Sequence, residues 1–580
     1  MVRLNHVVRM LPACLCAAAL AAAAHAGERW WKFDGKELPS DVVAAATGDA
    51  AKRMPKPKVQ EDHLVLLESW WKSTAAVAFP CPQAEPAERV KISASITMNT
   101  GTEGMGILLL DTRTYGLEPQ IPTLENWEVP SLPNAFGIGL DASDPPNRDP
   151  FRGSGNLYDR PQHEMSLHWN GRELVKRVTP FDFRDEKPHV LRTEIQFVTG
   201  GAEVTVTLDG KPVYDAYFVP GMTAFPGRLV LGARNGETAG DVLVGELVHG
   251  TSMPVAAPDP PLHVVAHDKV LNDKEHGTNP VTVNLPEDLS PYGRILLTLA
   301  LEEPKNGFDP WDRLARLWID HPTLGKVELL RYITPYKNGH TWTVDVSDFR
   351  PLLSGPVKLI QECGTQGEGW LVTTAFDLYK GPAPRYVYRV VPLWCGDPEI
   401  GNPQKPVEAF YDKRVVDIPP GTEGAVVRLT VTGHGMSPNT GNAGEFMRIG
   451  RALRANSAEY RSMLWKEDNY LNPCRPQGGT WKYDRAGWGP GDIVRPWVVD
   501  VSRDAGASMS DPRGGRKLSL QYVLDPYVNE GRGKTWAPFH STQSVLVLYS
   551  RTPAAPPAAA PPAAAPAAVP AAAPPAKSVP

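Results

Sequence analysis

Cysteine is scarce in this chain, at six in 580 residues. Cys14 and Cys16 fall in the leading apolar run, which leaves Cys81, Cys363, Cys395 and Cys474 scattered over the rest. Four cysteines so far apart exclude a disulfide framework, although one or two bridges could form, and no Cys-x-x-Cys pair offers a zinc site. A basic excess is missing as well. The 60 Lys and Arg against 65 Asp and Glu give a formal charge of −5 without a Lys/Arg cluster, so no nucleic-acid partner is expected. Long hydrophobic runs are lacking too. Residues 11–24 form an Ala-rich apolar stretch that follows Arg3 and Arg9, is too short to span a membrane and ends at Ala24-His25-Ala26. Residues 1–26 therefore read as a cleaved export signal, with a periplasmic or extracellular destination; Pro12 fits lipid attachment at Cys14 poorly. Sustained helical periodicity is hard to find.

Alternation of period two takes its place. In "RVKISASITM" Val90, Ile92, Ala94, Ile96 and Met98 point one way and Lys91, Ser93, Ser95 and Thr97 the other. "AEVTVTLDGKPV" turns at Asp209-Gly210 and "LHWNGRELV" at Asn170-Gly171, dipeptides that favour tight hairpins. The expected fold class is all-β, in antiparallel sheets with one buried face. A chain of this length exceeds one core. Prolines in "TSMPVAAPDPPL" mark a linker at 251–261 after a block at 27–250, and "YKGPAPRYVYRVVP" divides the remainder into 262–382 and 383–551. Residues 552–580 are almost only Ala and Pro, a semi-extended spacer without a core.

Two resemblances sharpen this outline. "AFGIGLDA", "MSLHWNG", "AEVTVTLDGKPVYD" and "GRLVLGARNG" make the first block similar to concanavalin-like sandwiches of the laminin-G and legume-lectin type. Glycan binding and a spacer role are both open for it, and Asp141 is a lone acid there rather than a calcium site. From residue 262 to 551, "NGFDPWDRLARLWID", "VELLRYITPYKNG", "VDVSDFRPLLSG", "VVRLTVTGHG", "GEFMR" and "GGTWKYDRAGWGPG" resemble, in order, the bacterial peptide-N-glycosidase F family. That resemblance implies two eight-stranded jelly-roll β-sandwiches side by side with a cleft between them. It also implies hydrolysis of the amide that joins an N-glycan to asparagine, on N-linked glycoproteins or glycopeptides, by a monomer without metal or cofactor.

Amide hydrolysis needs an activated water or nucleophile and a proton for the departing nitrogen, and two carboxyls in unlike environments can supply both. By resemblance, Asp312 in "PWDR" is the principal acid, acting as base or nucleophile. Glu445 in "AGEFMR" orients water or donates a proton, and Glu362 in "KLIQECGT" holds the sugar, although Gly364 stands where the family has tryptophan. Arg485 and Arg313 match positions near the site and would balance the gathered carboxylates. If Asp312 lay in a regular strand, Arg313 would face away, leaving Arg485 the better direct contact. Trp311, Phe446, Trp481 and Trp488 are candidates for the faces of an N-acetylglucosamine ring, with packing the competing role for Trp481 and Trp488. His434 replaces a family tryptophan and is a candidate substrate contact, where hydrogen bonding could take the place of ring stacking. The family's bridged cysteine is replaced by Gly489, leaving Cys474 without that partner, so packing of Trp481 and Trp488 is expected to hold the loop.

Other chemistries fit less well. Copper-dependent peptide monooxygenases share the double jelly roll but need clustered histidines and a methionine. Here 14 histidines include no His-x-His pair, only His434 and His540 follow Pro384, and His263 and His267 lack companions. No nucleophile elbow supports a Ser-His-Asp hydrolase. A glycan-binding protein without activity on the same folds is the main alternative.

Overall fold

The computed structural model describes residues 27–142, 163–435, 444–506, 516–529 and 537–551; the expected export signal and the Ala/Pro tail lie outside them. The all-β expectation holds. Among the described residues helices are limited to one four-residue turn, Thr112–Tyr115, and short 3-10 segments.

Strands from Gly27–Lys32 to Val242–Thr251 form an eight-stranded and a seven-stranded sheet. Alternation places Val90, Ile92, Ala94, Ile96 and Met98 between them, in one core with Met105, Ile107, Leu109, Leu229 and Leu231. The two hairpin dipeptides turn as their chemistry requires. Asn170 and Gly171 have φ of 51° and 79°, and Asp209 and Gly210 have φ of 49° and 73°, the left-handed values a two-residue turn needs at both positions.

Eight strands from Leu262–Asn272 to Trp370–Lys380 make a second sandwich, and eight from Tyr386–Gly396 to Phe539–Ser550 a third. The two share structure. The two-residue strand Asp492–Ile493 leaves the third sandwich and pairs with Tyr332 and Ile333 at the edge of a sheet in the second. Val387, Val390, Val426, Val545 and Val547 of the third belong to the core of the second.

Charge closes the same seam. Asp348 accepts from Arg385 at 2.8 and 2.6 Å and from Arg428 at 2.7 Å, two guanidinium groups of the neighbouring sandwich on one largely buried carboxylate. Removing that carboxylate strands two cations, which costs more than the pair itself contributes. Asp348→Ala is therefore expected to lower the unfolding free energy by about 2–5 kcal/mol in denaturant titration. An unchanged midpoint would show that the seam does not depend on it.

Candidate active site

Asp312 lies in a loop, 309–313, that leads into the strand Leu314–His321. Asp309 shapes the loop from within. Fully buried, its Oδ1 accepts from the Trp311 backbone N–H at 2.8 Å, while Arg313 Nη2 donates to Oδ2 at 3.2 Å and Thr365 Oγ1 also hydrogen-bonds to it. Because the strand begins only at Leu314, strand alternation does not set where Arg313 points. Its guanidinium turns to Asp309, and its backbone N–H donates to Thr334 Oγ1 at 2.8 Å. Asp312 is half-buried, and beside it Trp311 remains 59% exposed.

The second wall is the stretch 474–491, irregular apart from a bridge between Arg485 and Lys466. Packing of Trp481 and Trp488, both buried, is only part of what holds it. Three buried side-chain amides pin its carbonyls. Asn469 Nδ2 donates to the Tyr483 and Trp488 carbonyls at 2.7 and 3.1 Å, and Asn472 Nδ2 to that of Pro490 at 2.6 Å. Gln477 Nε2 donates to the carbonyls of Cys474 and Pro490 at 2.6 and 2.9 Å. A Cβ on Gly489 would lie 2.0 Å from Asn469 Oδ1, so the asparagine fills the place where the family bridge is expected. The cysteines at 81, 363, 395 and 474 are all free thiols.

Arg485 joins this wall to the carboxylates. Its side chain is fully buried. Nε donates to Glu445 Oε1 at 2.9 Å, Nη1 to the Thr480 and Tyr483 carbonyls at 2.9 Å each, and Nη2 to Thr480 Oγ1 at 2.7 Å. Four of its five donors are thus engaged, and the guanidinium lies 4.8 and 5.3 Å from the ring centroids of Trp488 and Phe446. Arg485, expected at the substrate, has its donors engaged by Glu445 and the loop's own oxygens.

Burial raises the Asp312 carboxyl above the ordinary carboxylate value, against the opposing pull of Arg485 and a hydrogen bond from Tyr336. Burial also raises Glu445, again opposed by Arg485, and the charge on Asp312 raises it further. Burial and then the Asp312 charge push the Tyr336 hydroxyl well up, which keeps it a proton donor. Two partly buried acids, one of which disfavours the ionisation of the other, are suited to divided roles, one group accepting a proton from water while the other donates.

The remaining candidates separate. Glu362 belongs to another cluster, accepting from Trp318 Nε1 at 3.2 Å and Lys326 Nζ at 3.3 Å, with Arg316 Nη1 at 3.7 Å. No hydrogen bond or ion pair joins it to Asp312 or Glu445 among the described residues. Phe446 is half-buried beside Arg485. Trp488 donates from Nε1 to the Gly433 carbonyl at 2.7 Å and stacks on His434, which also stacks on Phe539. Burial lowers the His434 pKa well below the usual value, so the ring is neutral, and its Nε2 meets Thr432 Oγ1 at 2.7 Å. His263 pairs with Asp377, and His267 is buried between Thr374 and the Asn279 carbonyl. Asp141 is paired with the buried Lys176 at 2.5 Å.

Sequence reasoning did not assign Tyr336, Asp309, Thr480 or Gln477. Tyr336 stands in the quoted "RYITPY" stretch, and Asp309 opens the "DPWD" that carries Asp312. An Asx-forming aspartate before proline is a local turn signal and could have been read.

A family model described as peptide-N-glycosidase F, C terminal, matches residues 408–511. The peptide-N(4)-(N-acetyl-beta-D-glucosaminyl)asparagine amidase F of Elizabethkingia miricola is 28% identical over 325 residues, 52% of this chain and 88% of that protein. The solved structure of PNGase F, a glycosylasparaginase from Flavobacterium meningosepticum, is similar at 25% identity over 51% of this chain and 97% of its own, with a TM-score of 0.43. PNGF-II is similar at 11% identity over 80% and 99%, with a TM-score of 0.37.

A carboxyl whose folded pKa is raised contributes stability below its unfolded value of about 3.8 and loses that contribution as pH rises through the folded value. Asp312→Asn removes the group without removing the acceptor for Tyr336. The variant is expected to melt above the parent at neutral pH, with the gap closing toward pH 3–4. Calorimetry across pH reads this directly, and a variant less stable at neutral pH contradicts the raised carboxyl.

Proposed function

Because the chain belongs to the peptide-N-glycosidase F family, we propose that it hydrolyses the amide between an N-glycan and asparagine in glycoproteins or glycopeptides. The observation that supports this reading most is the placement of two partly buried carboxyls, Asp312 and Glu445, beside one fully buried guanidinium, Arg485.

In the reaction, water adds to the side-chain carbonyl carbon and the C–N bond breaks. Asp312, ionised, takes a proton from the attacking water. Glu445, protonated, gives one to the nitrogen of the leaving glycosylamine, and asparagine becomes aspartate. Tyr336 donates to Asp312 and holds its carboxylate in place. Arg485 contacts no substrate in this scheme; it orients Glu445. Trp311, exposed next to Asp312, offers an aromatic face to the first sugar. Glu362 and Arg313 stand farther back, Glu362 among the cations of its own cluster and Arg313 on Asp309. The export reading of residues 1–26 places the reaction outside the cytoplasm, where such substrates are met.

Asp312→Asn should lower kcat on an N-glycosylated peptide by about 10²–10⁴-fold while the fold is retained. Mass spectrometry of the products follows release. Undiminished release by the variant removes Asp312 from the mechanism, and binding of glycan without release by the parent favours a lectin.

A further inference from the structure

The first sandwich packs against the other two, and one of its contacts lies at the root of the active-site loop. Arg475 starts that loop. Its Nη2 donates to Glu173 Oε2 at 3.3 Å, and Nη1 lies 3.9 Å from Glu164 Oε2. All three side chains are at most 15% exposed. Glu164 in turn meets Lys176 Nζ at 3.1 Å, and Lys176 meets Asp141, so Arg475 completes a buried cluster of three carboxylates and two cations.

The sheet face that carries this cluster is otherwise covered by the sandwich itself. A Cβ on Gly232 would lie 2.0 Å from the Trp127 ring, and one on Gly137 would lie 2.2 Å from the Pro130 carbonyl. The chain around Trp127 thus closes the middle of the face, and the edge strand Arg172–Val178 and its neighbour Glu164–Trp169 turn their acids to Arg475. A second contact sets Arg294 3.9 Å above the Phe218 ring. Between these contacts the junction opens into a cavity of about 600 Å³ lined by Trp169, Tyr217, Trp342 and Gln543 among others. Thr199 and Gly200 also pack closely on Gly381, Arg294 and Tyr379, whereas Arg475 is the contact that leads into the loop.

From Arg475 the path to the reacting groups is short. The next carbonyl, that of Pro476, accepts from Asn338 Nδ2 at 3.2 Å. Gln477 Oε1 accepts from the Tyr336 backbone N–H at 3.1 Å, and the Tyr336 hydroxyl lies beside the Asp312 carboxyl. Thr480, three residues on, takes three of the hydrogen-bond contacts of this wall, two from Arg485 and one with the Tyr336 hydroxyl at 3.4 Å.

We propose that the N-terminal sandwich is a buttress for the active-site loop, and that Arg475 is the positioning residue through which its acids hold Arg485, Tyr336 and the two carboxyls in register. The role rests on the amidase reading for its kinetic consequence, but not for its structural one. Arg475→Ala leaves three buried acids facing Lys176 alone and frees the root of the loop.

Hydrogen exchange and kinetics of Arg475→Ala, Arg475→Lys and Glu173→Gln in the full chain test it. In Arg475→Ala, amides of 474–491 should exchange faster, and kcat on a glycopeptide should fall on the order of 10–100-fold with KM nearly unchanged. Since Arg485 lowers the Glu445 pKa, its loosening should move the kcat profile toward higher pH. Arg475→Lys should restore most of kcat, and Glu173→Gln, which leaves the loop sequence intact, should reproduce the faster exchange. Unchanged exchange in 474–491 in Glu173→Gln, or an unchanged kcat profile in Arg475→Ala, overturns the proposal. Should the parent release no glycan, the amidase reading fails while the exchange comparison still decides the buttress.

Discussion

A single buried guanidinium organises the candidate site. Arg485 carries its charge on a side chain closed off from bulk solvent, so nearly every donor must find an acceptor, and those acceptors include the Glu445 carboxyl and the loop's own carbonyls. The constraint works in both directions. The loop folds around the arginine because its carbonyls are needed there, and Glu445 is fixed because the arginine cannot turn elsewhere. The same charge lowers both Asp312 and Glu445 while burial raises them, which leaves two acids poised above the ordinary carboxylate value. Removing the cation would leave two buried carboxylates facing each other, a far costlier arrangement.

Polar burial recurs wherever the sandwiches meet. Asp348 joins two arginines at the seam between the second and third, and Arg331 spans it to the Ser541 carbonyl at 2.7 Å while pairing with Glu328 at 2.8 Å. Arg475 does the same between the first sandwich and the third. Apolar cores build each sandwich, but directional charge contacts set how they sit together. A cleft assembled from loops of separate units needs such contacts, because apolar packing is indifferent to small rotations that would misplace a carboxyl.

Much of the fold was legible in the sequence. Alternation from Val90 to Met98 and the Asn170-Gly171 and Asp209-Gly210 turns each follow from local chemistry, and each appears in the structure. Asp492–Ile493 was not legible, since two residues carry no period and the pairing with Tyr332 spans separate sandwiches. At the site, the identity of the acids came from motif resemblance, whereas their surroundings did not. Arg485 was read as a substrate contact because its motif matches a position near the site and Arg313 was expected to face away from it. What buries it is the set of amides from Asn469, Asn472 and Gln477, whose partners are backbone carbonyls and so leave no pattern in composition. Tyr336 escaped notice for a related reason: it lies beside Asp312 only because the hairpin pairs Leu314 with Ile333, which brings the two flanking loops together at its open end. Glu362, close to the other acids in the motif order, lies in a separate cluster of cations.

The origin of the oxygen gained by the peptide tests the central claim most directly. An N-glycosylated peptide is incubated with the protein in water enriched in heavy oxygen, and the released peptide is weighed and fragmented. Attack at the side-chain carbonyl predicts aspartate at the former glycosylation site, carrying one solvent oxygen in its carboxyl. Unlabelled asparagine at that site, or asparagine still bearing N-acetylglucosamine, would mean that a bond of the sugar was cut instead, and would contradict the account.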